Sequence, residues 1–176
     1  MRYLLSILVA LSCLPLVQAQ EKHDHGRPKA VCVVQPTKGN ICRGEVWFTT
    51  LPDGKVKVTA DISGLTPNQQ HAMHVHEFGD ITGEDGLTTG GHYNPEHHEH
   101  GLPDQEHRHA GDLGNLTADA EGHADYTITV DNMTVMGKNA VIGRGIVVHA
   151  KPDDGGQPTG NAGDRIGVGV IGITKS

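Results

Sequence analysis

The sequence predicts an all-β fold, an antiparallel sandwich or barrel of about eight short strands. Three observations carry that expectation. Glycine makes up 24 of the 176 residues, about 14%, roughly twice the usual ~7%. Aromatic residues number only six (one Trp, three Tyr, two Phe), too few for the packed faces of a helical bundle. From Pro28 onward apolar residues recur with a period of two, and no stretch carries a convincing helical period.

The elements follow in chain order. The first strand is read at 29–35 and ends at the turn Thr37-Lys38-Gly39-Asn40. The second, 44–50, ends at Pro52-Asp53-Gly54. The third is the clearest: Val56, Val58, Ala60 and Ile62 alternate with Lys57, Thr59 and Asp61, the mark of a strand with one buried face. The fourth covers 71–77. A long loop rich in Gly, His, Asp and Glu then occupies 78–112. The fifth strand, 113–118, leads through Ala120-Glu121-Gly122 to the sixth, 125–130, with Tyr126, Ile128 and Val130 on one face. The seventh is read at 140–149, a shorter Gly/Asp/Pro-rich loop at 150–164, and the eighth strand at 165–173. Loops of such length are usually functional or disordered. No internal repeat is present.

Residues 1–19 read as a secretory leader. Arg2 supplies the positive start, Leu4 to Val17 the apolar core, and Val17-Gln18-Ala19 the cleavage site. Export to a periplasm or to the extracellular space follows, with 20–27 as a flexible tail bearing His23 and His25 and one domain at 28–176. Acidic residues outnumber basic ones, 21 against 14, for a net charge of −7. That charge excludes a generally basic nucleic-acid binder. Beyond the leader no apolar run approaches the ~20 residues of a membrane span. An oxidising compartment permits a bridge between Cys32 and Cys42. A symmetric turn at Lys38-Gly39 sets Gln35, not Cys32, opposite Cys42, so two thiols are expected.

Thirteen histidines stand out, and nine lie between His71 and Asp112. His74-Val75-His76 ends the fourth strand, and alternation puts both imidazoles on one face. Such a pair is half of a site for copper, zinc, iron or nickel. The long loop adds His92, His97, His98, His100, His107, His109 and Asp112. Three imidazoles and one carboxylate suit a closed tetrahedral zinc site, and a loop without secondary structure gains order from such a metal. His97, His98 and His107 are read as solvated. His149 closes the buried pattern Ile146-Val147-Val148 at a strand rim.

Together these segments resemble the copper/zinc superoxide dismutases. His74-Val75-His76-Glu77-Phe78-Gly79-Asp80 resembles their copper-ligand strand, and Gly91-His92-Tyr93-Asn94-Pro95 the segment around the bridging histidine. His109-Ala110-Gly111-Asp112-Leu113-Gly114-Asn115 is similar to the zinc segment, Val147-Val148-His149 to the last copper ligand, and Gly160-Asn161-Ala162-Gly163-Asp164-Arg165 to the approach to the active-site arginine. The likeness runs in register over 28–174. It implies an eight-stranded antiparallel Greek-key β-barrel or sandwich with a long metal-binding loop and a shorter second active-site loop. It implies copper on His74, His76, His92 and His149, zinc on His92, His100, His109 and Asp112, and a shared imidazole at His92. Asp153 would tether a ligand of each metal, Arg165 would stand beside the copper, and His71 would be structural. The implied activity is conversion of superoxide to dioxygen and hydrogen peroxide by copper redox cycling, with Arg165 and the proton-carrying His92 as catalytic residues. The competing reading is a catalytically silent, dismutase-like metal-binding protein.

The resemblance is incomplete in two places. The family's loop-to-strand disulfide would join positions 86 and 168, which are Gly86 and Val168. Zinc and loop packing are therefore expected to supply the order, and the assembly is left open between monomer and homodimer. The family's acidic and lysine residues that steer the anion have no clear counterpart in the shortened second loop.

Overall fold

The computed structural model describes residues 26–175. The leader at 1–19 and the tail histidines His23 and His25 lie outside the described residues. Eight strands form: β1 (Lys29–Pro36), β2 (Arg43–Thr50), β3 (Val56–Ser63), β4 (Gln70–His76), β5 (Asp112–Thr117), β6 (His123–Val130), β7 (Gly145–His149) and β8 (Arg165–Ile173). They make one antiparallel sheet in the order β5-β4-β7-β8-β1-β2-β3-β6. β1, β2 and β3 run as a meander. The chain then crosses to β4 and β5 before β6 returns beside β3, a Greek-key connection. The sheet curls until its end strands meet, where the Tyr126 hydroxyl of β6 donates to Leu113 O of β5. The result is a nearly closed barrel, as the sequence predicts.

The alternation of β3 is realised residue by residue. Val56, Val58, Ala60 and Ile62 are buried, while Lys57, Asp61 and Ser63 are exposed. The inward faces of all the strands join in one core containing Phe48, Val58, Ile62, Met73, Leu116, Ile146 and Ile171. β4 and β7 differ, being buried on both faces. Met73, Val75, Ile146 and Val148 point into the barrel. The opposite face carries His74, His76 and His149, covered by the two long loops.

The seventh strand is shorter than the sequence suggests. Residues 140–144 leave the sheet in a turn, where Arg144 N donates to Val141 O at 3.0 Å and Gly143 takes φ +77. The apolar run Val141-Ile142 continues the β pattern, but those side chains serve the core from a loop. The long loop also holds a short 3-10 turn at Leu87–Thr89. Cys32 and Cys42 are both buried and unbridged, although the register lies one residue away from that of a symmetric turn, with Val34 opposite Gly44. Cys32 pairs across to Val46, and Cys42 precedes β2. Burial pushes both thiols up to about 12. No helix among the described residues is long and apolar enough to cross a membrane.

Candidate metal centre

Backbone pairing builds the site before any side chain acts. The long loop folds back on the end of β4: His76 forms an isolated antiparallel bridge with His92. Tyr93 N donates to Val75 O at 2.8 Å, and Val75 N to Gly111 O at 2.9 Å. Gly111 is required here, since a Cβ would stand 2.2 Å from Val75 O. The second loop crosses above Asp153 at Gly160, which has φ +75 and whose Cβ would meet Asp153 Oδ1 at 2.1 Å. On the far side, His149 is the direct partner of Arg165 across the β7–β8 bulge. Two strands and two loops thereby deliver their polar ends to one place.

Two donor groups result. His74, His76, His92 and His149 form one, and His92, His100, His109 and Asp112 the other. In each, the candidate donor atoms lie within 4.8 Å of one another, and every residue is buried. His92 belongs to both. Its ring stands 3.9 Å from that of His74, while its Nδ1 lies 2.9 Å from Asp112 Oδ1. The structure brings these seven residues together, with His71 buried on β4. His97 and His107 are exposed, and neither they nor His98 enter either group.

Four of the six rings, those of His74, His76, His100 and His149, are fixed by one nitrogen and present the other. His76 Nδ1–H donates to Gly90 O at 3.0 Å and His149 Nδ1–H to Gly163 O at 3.2 Å. His74 Nε2 lies 2.9 Å from Asp153 Oδ2, and His100 Nε2 2.9 Å from Asp153 Oδ1. One carboxylate therefore holds an imidazole from each group. The opposite nitrogens, His74 Nδ1, His76 Nε2, His149 Nε2 and His100 Nδ1, are buried without a hydrogen-bond partner. Such orphans are costly in a protein interior, and a metal ion satisfies them. His100 Nδ1 does lie 3.1 Å from Asp112 Oδ2, at ion-pair distance but without hydrogen-bond alignment. In the second group the donor separations of 2.9, 3.3 and 3.4 Å match the roughly 3.3 Å expected around a tetrahedral ion with ~2.0–2.1 Å bonds. The donor chemistry fits copper in the all-imidazole group and zinc in the His3Asp group.

His71 is structural in its geometry. Its Nδ1–H donates to His149 O at 2.8 Å and its Nε2 accepts from Thr66 N at 3.1 Å. Both nitrogens are used, so none remains for a metal.

Burial decides the protonation of His76, His92 and His149. It holds His92 down at about 4 and His149 at about 3, and it pushes His76 well below its ordinary value. Neutral imidazoles are the form that ligates a metal. His100 runs the other way: burial opposes the change, but Asp112 and Asp153 together raise it to about 9. Burial likewise opposes ionisation of Asp112 and Asp153, yet their histidine partners hold both carboxyls well below the usual range.

A cavity of about 1250 Å3 leads to the first group, reaching His76, His92, His149 and Arg165. Arg165 is locked in place: Nη1 donates to Gly86 O and Thr89 Oγ1, and Nη2 to Gly90 O, each at 2.8 Å. The walls carry Lys38, Lys151, Glu84, Asp85 and Asp164. Lys151 is a cation the sequence reading passed over. Its signal was its place two residues beyond His149, on a strand exit facing the site. Asn115 was also missed. It accepts from Asp153 N at 2.7 Å and donates to Asp153 O at 2.9 Å, so β5 fixes the carboxylate that fixes the rings. Positions 86 and 168 do face each other, since a Cβ on Gly86 would lie 2.7 Å from Val168 Cγ1. An apolar contact stands where the family's bridge would.

A family model described as copper/zinc superoxide dismutase matches residues 42–171. That span runs from the start of β2 into β8 and includes every residue of both donor groups. By fold, by donor arrangement and by this match, the chain belongs to the copper/zinc superoxide dismutase family.

Proposed function

We propose that the protein is an exported superoxide dismutase that converts superoxide to dioxygen and hydrogen peroxide. The observation that carries this reading is that one imidazole, His92, is shared between an all-histidine group and a His3Asp group at the floor of an open cavity. When bound, copper supplies a one-electron couple at His74, His76, His92 and His149, and zinc at His92, His100, His109 and Asp112 stays in one redox state. The protein's own part is to position and to move a proton. His92 turns its Nδ1 toward the His3Asp group, 2.9 Å from Asp112 Oδ1, so its other nitrogen can take a proton and return it to the product. Asp153 fixes the tautomers of His74 and His100. Arg165, rigid and beside His149, attracts and orients the anion. Its charge matters because the whole chain is acidic and would repel superoxide, whereas a cleft focuses the field of a cation at its floor. The leader reading places this activity in a periplasm or outside the cell.

The test is superoxide consumption by the mature chain from Gln20, loaded with copper and zinc, with both metals quantified in the same sample. Fast turnover with about one of each metal per chain is the expected result. Full occupancy without turnover overturns the proposal and indicates a metal-holding relative. Arg165→Ala is expected to slow the reaction about tenfold or more at low salt, and an unchanged rate would remove the guanidinium from the mechanism.

A further inference from the structure

We propose that Asp61, His123 and Asp125 form a third cation site, on the outer face of the barrel, for a first-row divalent ion of the zinc class. The three residues place their candidate donor atoms within 4.8 Å of one another and share no member with the two buried groups. β3 and β6 fix the geometry. Asp61 is the direct cross-strand partner of Asp125, and Ser63 that of His123, so all three side chains leave the same outer face two residues apart. His123 Nε2 lies 3.0 Å from Asp61 Oδ1. Its Nδ1 faces Asp119 Oδ2 at 3.9 Å, beyond hydrogen-bond distance.

The imidazole sets the class of ion. Two carboxylates alone would favour hard, oxygen-seeking calcium or magnesium, whereas an imidazole with carboxylates suits zinc, nickel or copper. A separate observation favours a cation here, whatever its class. Glu45 of β2 is the direct partner of Asp61, so three carboxylates stand in line across β2, β3 and β6. Like charges directly opposite on neighbouring strands are destabilising, and a cation held among them relieves the repulsion. The field of these acids is already visible at His123, whose proton is held above the usual range, first by the hydrogen bond to Asp61. A metal ion would take that proton's place. The site borders a surface depression of about 480 Å3 lined by Trp47, Thr59, Asp61, Asp125 and Thr127. Solvent reaches it there, leaving room for water to complete the coordination.

The test uses the full mature protein with both buried groups filled beforehand, titrated with zinc alone while the His123 ring signals are followed by NMR. Exposed histidines such as His97 and His107 offer zinc other places to bind, so the readout is tied to His123 rather than to total uptake. Saturable shifts of His123 at one further equivalent are expected. In D61N/D125N those shifts should need at least tenfold more zinc, and dismutase activity should be unchanged. These variants lie on a solvent face and remove a like-charge pair, so the zinc-free Tm should hold or rise. As a second reading, zinc should raise the Tm of the native protein more than that of the variant. His123 signals that do not move with zinc, or that move equally in D61N/D125N, overturn the proposal.

Discussion

Asp153 lies outside both donor groups, yet each of its oxygens holds one imidazole, His74 from the first group and His100 from the second. Removing one acceptor charge should therefore disturb two sites at once. Asp153→Asn is expected to weaken retention of both metals, each by about 10–100-fold, and competition with a chelator of known affinity measures it. Loss confined to one metal would mean that the shared tether is not what orients the rings. The buried histidines also make the metal-free protein sensitive to acid. His92 and His149 titrate near 4 and 3 in the fold, against 6.5 for an unperturbed imidazole. The unfolded chain binds those protons more readily, so the stability they contribute is present above about pH 6.5 and is lost as pH falls toward their folded values. His100, raised to about 9, contributes below pH 6.5 and loses its share only as pH climbs through 9. Calorimetry of the metal-free protein should show Tm falling between pH 7 and pH 5, and a flat profile would contradict the depressed values.

At the scale of elements, β4 and β7 combine two patterns in one strand. Alternation sends Met73, Val75, Ile146 and Val148 to the core and His74, His76 and His149 outward. The sequence displayed this pattern at 74–76 plainly. It overran at 140–149, because Val141 and Ile142 are apolar for packing from a turn and not for pairing in the sheet. The long loop was legible in length and composition, but not in its path. His76 pairs with His92 and Val75 with Gly111 and Tyr93, contacts that no local spacing encodes. The loop carries few apolar anchors and no bridge at 86 and 168, so a zinc ion at His92, His100, His109 and Asp112 would supply much of its order. Removing zinc should sharply raise hydrogen exchange across 78–112 while β1, β2 and β3 stay protected. Exchange that is unchanged by chelation would show that packing alone holds the loop.

The whole molecule closes without a covalent tie among the described residues. Cys32 and Cys42 are buried thiols held up at about 12, so neither ionises or exchanges readily at neutral pH. Stability should therefore be indifferent to reductant: thermal unfolding of the metal-loaded protein is expected at the same Tm with and without a dithiol. A drop of several degrees would reveal a bridge between Cys32 and Cys42. The net charge of −7 gives the surface a field that repels anions, and the cavity offsets it locally by setting Arg165, Lys151 and Lys38 against Glu84, Asp85 and Asp164. Lys38 is partly spent on its exposed partner Glu84, and exposed pairs of this kind contribute little to stability.

The all-β class and the strand positions to within a few residues could be read from the sequence, whereas the division of the histidines into two donor groups came from the family resemblance. Strand alternation is local, and histidine is scarce enough elsewhere that its clustering carries a chemical meaning. Three decisions belonged to the tertiary structure alone. It set Asn115 behind Asp153, brought Lys151 to the cavity wall, and aligned Glu45, Asp61 and Asp125 across three strands. Each depends on register or on a loop's route between residues far apart in the chain. Register is fixed by the fit of the whole core, because a one-residue slip would turn every buried side chain of a strand to solvent.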